Sequence, residues 1–328
     1  MSHNLMIRNG QAAMFYIEQT PWHGLGTRLD RPATAKEAIQ AAHLDWSVTK
    51  TPVYATSNGA RIVVPDTFAV IRQDPLHSPV LGVVSKDYTP LQNTEAFAFF
   101  DPIVGENAAI YHTAGALGQG ERIWLLAKLP GQLRIVLDDV ADKYLLLANS
   151  HDGKSCVQVK FTSVRVVCQN TLTLALGGSE SFRLVHTPDV KQRLQSAGQL
   201  LAQVHSRYGT MEKALQAMAR ISVDQDRLKE YLTQVFPDAD PVDEAAVSRV
   251  NKSRQWSEYF FDQGRGNRLP GVHGTLWAAF NGVTELLDHR KTRQNPSQRL
   301  ASLWFGDNYR VKARAFAQAE EKLEAWRN

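Results

Sequence analysis

YLLLANSHDGKSCVQVKFTS, residues 144–163, decides how the first half of this chain is read. Its ends are two β-like runs, YLLLANSHDG and SCVQVKFTS, with Asp152-Gly153-Lys154 between them. Asp-Gly tolerates the positive φ that a tight turn demands, so the spacing predicts a hairpin. In the second run Lys160 alternates with Val157, Val159 and Phe161. Successive side chains of a strand point to opposite faces, so Lys160 is expected to face away from that apolar row.

The segments around this hairpin carry the same texture. RIWLLAKLP (122–130) reads as a strand, and Gly131, Asp138 and Asp139 loosen the link after it. WSVTKTPVYAT (46–56) and ARIVVPDTFAVIRQD (60–74) flank Ser57-Asn58-Gly59, a strong hairpin signal. Pro52 and Pro65 argue for edges or breaks in those strands. SPVLGVVSKDYTPL (78–91) is a further strand with its turn. Between the strands, 34–45 predicts a short helix with Thr34 and Glu37 in capping-box spacing. NTEAFAFFDPIV (93–104) predicts another, with Asn93 as cap and Phe97 and Phe100 facing inward.

From Thr187 the pattern turns helical. In 187–209, Thr187 is the expected cap, Pro188 the first helical residue and Gly209 the stop. Helices are expected to continue to Phe236, then over 246–264, 274–291 and 298–326. The expected fold class is α+β. A mixed or antiparallel sheet region with packed helices covers 1–182, and a mainly helical region covers 183–328.

FTSVRVVCQNTLTLAL (161–176) mixes Arg165, Cys168 and Asn170 with an apolar run. A nucleophilic cysteine needs a neighbour that lowers its pKa. Cys168 instead sits among Val166, Val167, Leu172 and Leu174, so it reads as a small buried hydrophobe. β-branched residues crowd the first half of the segment and Leu and Ala the second, which predicts a strand end followed by helix. Asp152 is explained by the turn, so His151-Asp152 is not read as a catalytic dyad. Gly24 and Gly26 form a tight loop, but no helix follows them to cradle a phosphate; Gly115, Gly118 and Gly120 lack that context too. The ten histidines show no ligand spacing. No catalytic residue, metal or cofactor is assigned.

Composition narrows the class. A chain that is 43% hydrophobic and 21% charged is globular, not a disordered tail. No apolar run reaches the ~20 residues of a membrane helix. The start of the chain lacks a signal peptide's apolar core. Two cysteines are not a disulfide framework, which points to a reducing cytoplasm. The net charge is only +4, but it is unevenly spread. From Arg183 onward there are 22 Lys and Arg against 17 Asp and Glu; before it, 15 against 16. Polyanion contact is expected to lean toward the C-terminal part.

The candidate contact residues follow from that bias. In the β region, Lys128, Lys143, Lys154, Lys160 and Arg165 punctuate the strands, together with Arg122. Arg249, Lys252 and Arg254 share one helix with Trp256, and Arg265 and Arg268 occupy a Gly-rich loop. Arg290, Lys291 and Arg293 lie in a stretch without acids. Cations track phosphates and exposed aromatics stack on bases. These residues are expected to converge in a groove at the seam of sheet and helical region.

Several longer stretches carry a family likeness: PWHGLGTRL (21–29), LDWSVTKTPVY (44–54), SKDYTPLQNTEAF (85–97), SHDG (150–153), VRVVCQNTLTLAL (164–176), LWAAFNGVTELLDHR (276–290) and LWFG (303–306). Together they resemble the phage/plasmid-like proteins with the domain of unknown function numbered 932. Gln169-Asn170 stands where that family usually has two asparagines. The resemblance implies phage, prophage or plasmid origin and carries over no catalytic residues. The reading is therefore a cytoplasmic nucleic-acid-binding accessory protein, a single-stranded DNA binder or annealer acting as an oligomer. The alternatives are a factor that binds a host protein through Trp22, Trp256 and Trp304, and a cysteine enzyme.

Overall fold

A computed structural model describes residues 4–18, 21, 24–75, 77–101, 104, 109–165, 171–173, 181–197, 204–290, 302 and 306–326. Hairpin geometry organises its N-terminal half. β1 (Ile7–Arg8) and β2 (Gln11–Ala12) pair across Asn9 and Gly10, both at positive φ. That Asn-Gly pair is the same signal that predicts the later hairpin, although sequence reasoning did not single it out. β3 (Met14–Ile17) comes next, and β4 (Thr27–Leu29) pairs with it in parallel. Between them Gly26 sits at φ 106, where a Cβ would lie 2.9 Å from the Met14 carbonyl oxygen. The glycine loop is therefore tight because it packs on β3.

α1 (Ala35–Ala41) begins as its spacing requires. The Thr34 hydroxyl accepts from Glu37 N, and the Glu37 carboxylate accepts from Thr34 N at 2.8 Å. β5 (Ser47–Ser57) and β6 (Ala60–Gln73) meet at Asn58 and Gly59, again both left-handed. Pro52 and Pro65 do not end these strands. The pairing jumps from Pro52↔Phe68 to Tyr54↔Val63, so the irregularity is absorbed inside the ribbon. β7 (Val80–Ser85) completes this three-stranded sheet. α2 (Asn93–Ala98) is capped by Gln92, not by Asn93. Asn93 is buried and donates to the carbonyls of Leu44 and Trp46, a tertiary demand that outranks the cap. Phe97 and Phe100 are fully buried.

The main sheet is eight-stranded and mixed, in the order β12-β11-β10-β9-β8-β3-β4, with β13 also on β11. β8 (Ile110–Leu117), which sequence reasoning missed, pairs with β9 (Arg122–Val136). β9 runs through Pro130 and Gly131 rather than stopping there. β10 (Asp139–Ser150) starts at Asp139, five residues before the expected strand. β11 (Val157–Arg165) pairs with β10 from Ala141↔Arg165 to Ala148↔Gln158. β12 (Thr171–Thr173) and β13 (Ser181–Leu184) line the other side of β11. The helix expected after Arg165 is thus corrected over 171–173. There Thr171, Leu172 and Thr173 pair with Val164, Ser163 and Thr162, and sheet pairing overrides the Leu and Ala content. Cys168 and Asn170 lie outside the described residues.

β13 leads into α3 (Val190–Ala197) and then α4 (Val204–Met218). α3 begins three residues past Thr187, and Gly209 lies inside α4, so neither residue has the expected boundary role. α5 (Gln225–Val235) is capped by the Asp224 side chain and α6 (Glu244–Gln263) by that of Asp243. α7 (Leu276–Glu285) passes into a single π turn, Leu286–Arg290, and α8 (Asp307–Ala325) closes the described chain. One core joins the sheet to these helices: Leu125, Leu145, Val159 and Phe161 share it with Trp277, Phe280 and Phe316. The opposite sheet face holds a smaller cluster around Met14, Trp124, Tyr144 and Leu146. Among the described residues, no helix is long and apolar enough to cross a membrane.

A buried ion pair fixes α8. Lys312 Nζ donates to Asp288 of the π turn, and both side chains are almost fully buried. Asn308 Nδ2 donates to Leu287 O at 3.2 Å, and Tyr231 Oη donates to Ala315 O at 2.9 Å. Lys312→Met is expected to lower the unfolding free energy by about 3–5 kcal/mol, because it leaves the Asp288 charge buried without that partner. Lys312→Met with Asp288→Leu is expected to recover most of the loss in denaturant titrations.

Candidate functional site

The register of the main sheet sets one face of the site. Lys160 stands opposite Leu146, Gln158 opposite both Ala148 and Arg183, and Arg122 opposite Ser150. Directly paired residues share a face. Arg122, Gln158, Lys160 and Arg183 therefore come from three strands onto one side, the side that also carries Trp124 and Leu146. Val157, Val159 and Phe161 are buried in the helix-covered core, as the alternation requires.

The hairpin turn adds to this face. Asp152 Oδ1 accepts from the Lys154 amide at 2.9 Å and from the Ser150 hydroxyl, which holds the turn in shape. His151 is fully buried beside Trp46, with Nε2 3.1 Å from Asn93 Oδ1. Burial, then the nearby His186, pushes its pKa down to about 3, so it is neutral and structural. Neither residue of the pair is placed for acid–base work.

α8 closes the site. Its first turn brings Tyr309 and Arg310 over the sheet, held by the Lys312–Asp288 pair one turn further on. Lys160 Nζ lies 3.7 Å from the centre of the Tyr309 ring. The result is a recess of about 440 Å³ lined by Arg122, Lys154, Lys160, Arg183 and Arg310, with Cys156, Gln158 and Tyr309 among its neutral walls. Among the described lining residues none is acidic. Asp307 reaches Arg310 at 3.3 Å from outside the lining. Lys160 is only 5% exposed. Burial, then the Arg183 charge, pushes its pKa down from 10.5 to about 7. Burial beside Arg183 makes the ammonium costly, and added negative charge in the recess would lower that cost.

The remaining candidates from the sequence do not gather here. Lys128 is held by Glu18 at 2.6 Å and Asp142 at 3.3 Å. Lys143 lies 5.8 Å from the Tyr208 ring. Arg165 ends β11 opposite Ala141. Arg249 is 3.8 Å from Asp243, and Arg254 is 2.8 Å from Asp238 while it also donates to Phe236 O. Lys252 lines a shallow hollow on α6 together with Glu244. Arg265 and Arg268 are exposed in the Gly-rich loop, and Arg290 lies over the Trp256 ring at 3.1 Å. Lys291 and Arg293 fall outside the described residues, as do Trp22 and Trp304. The expected single groove is therefore corrected to one recess plus scattered cations, several of which face carboxylates. Trp256 is half-buried against the core instead of standing free. Sequence reasoning missed Arg183, Tyr309 and Arg310. Arg183 was legible as the arginine of an alternating SFRL segment, but Tyr309 and Arg310 come together with it only through α8 packing.

The Lys160 environment gives a measurable pH effect. Its folded pKa is depressed, so the unfolded chain binds more protons between about pH 7 and 10. The stability of the ligand-free chain relative to Lys160→Met is then expected to rise as pH increases across that window. Paired denaturant titrations at pH 7 and pH 10 check this; a difference that stays flat would contradict the burial.

No curated protein and no solved structure matches this chain. The family profile described as Domain of unknown function (DUF932) matches residues 80–304, a span from β7 to the residues just before α8. It covers the central strands, the Lys154 turn, Lys160 and Arg183, and it stops just short of Tyr309 and Arg310. On that match, the chain belongs to the DUF932 family.

Proposed function

We propose that this chain is a nucleic-acid-binding protein that engages the backbone of single-stranded DNA at the recess between the main sheet and α8. The observation that carries the reading is convergence. Arg122, Lys154, Lys160, Arg183 and Arg310 come from three strands, a turn and a helix into one hollow whose described lining contains no acid. Binding at such a site needs no covalent chemistry, since cations that neutralise phosphates release counterions and gain affinity from that release. The volume lies within the roughly 300–1,000 Å³ of ordinary ligand sites, too narrow for a duplex to enter side-on. Single strands expose phosphates that can dip into such a recess.

The same proposal places the chain in the cytoplasm, as an oligomeric accessory or annealing factor of phage or plasmid DNA. The sequence resemblance supports that setting. A protein-docking role has one observation of its own. Tyr259 is 52% exposed on α6 and packs edge-on against Trp256 and Phe260, with centroids 5.3 and 5.4 Å away. Aromatic clusters of this kind are common anchors at interfaces.

Fluorescence anisotropy with a labelled single strand tests the main reading. The slope of log affinity against log salt is expected at about −2 to −3.5, for three to five phosphate contacts at roughly −0.7 each. Lys154→Glu with Arg183→Glu is expected to weaken binding at least tenfold. Lys252→Glu on α6 is expected to leave it within twofold. Absence of binding at low salt, or equal losses for the two variants, would contradict the assignment.

A further inference from the structure

We propose that the recess holds a phosphate monoester, the group at a phosphorylated strand end or on a free nucleotide, in preference to an internal phosphodiester. The inference rests on the nucleic-acid reading for its strand form and narrows the ligand within it.

Charge is the first argument. Four cationic side chains and Lys160, which gains its proton near pH 7, line one hollow, and an internal phosphodiester brings a single negative charge to it. A phosphate monoester brings about −1.5 to −2 at pH 7, with three oxygens able to accept charge-assisted hydrogen bonds. The denser anion matches the denser cation cluster. Lys160 sharpens the match, because it sits at 5% exposure with the Tyr309 ring 3.7 Å from its Nζ and the Arg183 charge acting on it. The closer the anion's charge to that ammonium, the more of its burial cost is offset.

Shape is the second argument. A protein that tracks a continuous strand sets cations along an open path. Here Lys128, Arg249 and Arg254 are turned to carboxylates elsewhere, and the convergent cations form a hollow instead of a track. A second hollow of about 360 Å³ adjoins the first and shares Lys154, Ser155 and Cys156 with it. Its remaining walls include Tyr88, Val185 and His186. It offers space for the sugar and base attached to a phosphate seated in the first hollow. The Gln158 side-chain amide donates to the Ser155 hydroxyl at 2.9 Å, which braces the rim between the two. A terminal nucleotide can occupy both hollows and leave over that rim. An internal phosphate would have to bring two strand arms through it.

The test uses one oligonucleotide sequence labelled at an internal base, so that both ends are free. Four forms are compared by anisotropy: 5′-phosphorylated, 3′-phosphorylated, hydroxyl at both ends, and circular. At least one phosphorylated form is expected to bind tenfold or more tighter than the hydroxyl-ended form. Arg183→Gln is expected to erase that difference while leaving the thermal unfolding midpoint unchanged. Competition with a nucleoside monophosphate and with inorganic phosphate separates the two sources of the group. Displacement by the nucleotide at micromolar concentration assigns a free nucleotide, and resistance to it assigns a strand end. Equal affinity for all four forms would overturn the inference and leave the single-strand reading standing. Saturable nucleotide binding without binding of any strand would support the monoester site and remove the nucleic-acid reading. No binding of strand, nucleotide or phosphate would remove both.

Discussion

Period-two alternation on β11 is the constraint that generates the site. Val157, Val159 and Phe161 are buried against the helices, so Gln158 and Lys160 are carried to the other face without choice. A strand cannot turn one side chain over without slipping its register, and a slip would expose the whole apolar row. The lysine is thereby held in a half-apolar setting, opposite Leu146 and under Tyr309. The free energy of the apolar face is what keeps a reluctant ammonium in place.

The second requirement is a lid that cannot drift. α8 supplies Tyr309 and Arg310, and its position is fixed by Lys312 and Asp288 at the π turn, by Asn308 on Leu287 O, and by Phe316 against Phe280. A π turn inserts an extra residue into a helix and re-aims the chain beyond it. Here it presents Asp288 inward to Lys312 while Arg290 is directed outward over Trp256. The recess therefore depends on the sheet register on one side and on a buried ion pair on the other. Each is a stability feature first and a positioning device second.

Much of the architecture is legible from local chemistry. The Asn58-Gly59 turn, the Thr34–Glu37 capping box and the alternation at Lys160 are set by neighbours in sequence, and they appear as read. The Asp152-Gly153 hairpin also forms, but through a longer connection, 151–156, in which Gly153 and not Asp152 takes the positive φ. The failures share a cause. Asn93 leaves the cap position because Leu44 and Trp46 present carbonyls that need a donor. Thr171–Thr173 is a strand because β11 offers an edge, and Gly209 lies within a helix because α4 packs on β9. The site divides in the same way. Lys154 and Lys160 belong to the hairpin that the sequence makes plain. Arg183 and Arg310 join them across long separations that no local pattern encodes. Charge alone also ranks Lys128, Arg249 and Arg254 with the recess cations, whereas Lys128 faces Glu18 and Asp142, Arg249 faces the cap residue of its own helix and Arg254 faces Asp238.

Amine footprinting tests the central claim most directly, because it reads each lysine separately. The native chain would be acetylated briefly with and without a saturating single-stranded oligonucleotide, and the modified lysines quantified by mass spectrometry. Convergence on the recess predicts that the exposed Lys154 loses most of its labelling in the complex while Lys143 and Lys252 keep theirs. Unchanged labelling of Lys154, or protection centred on Lys252, would contradict it.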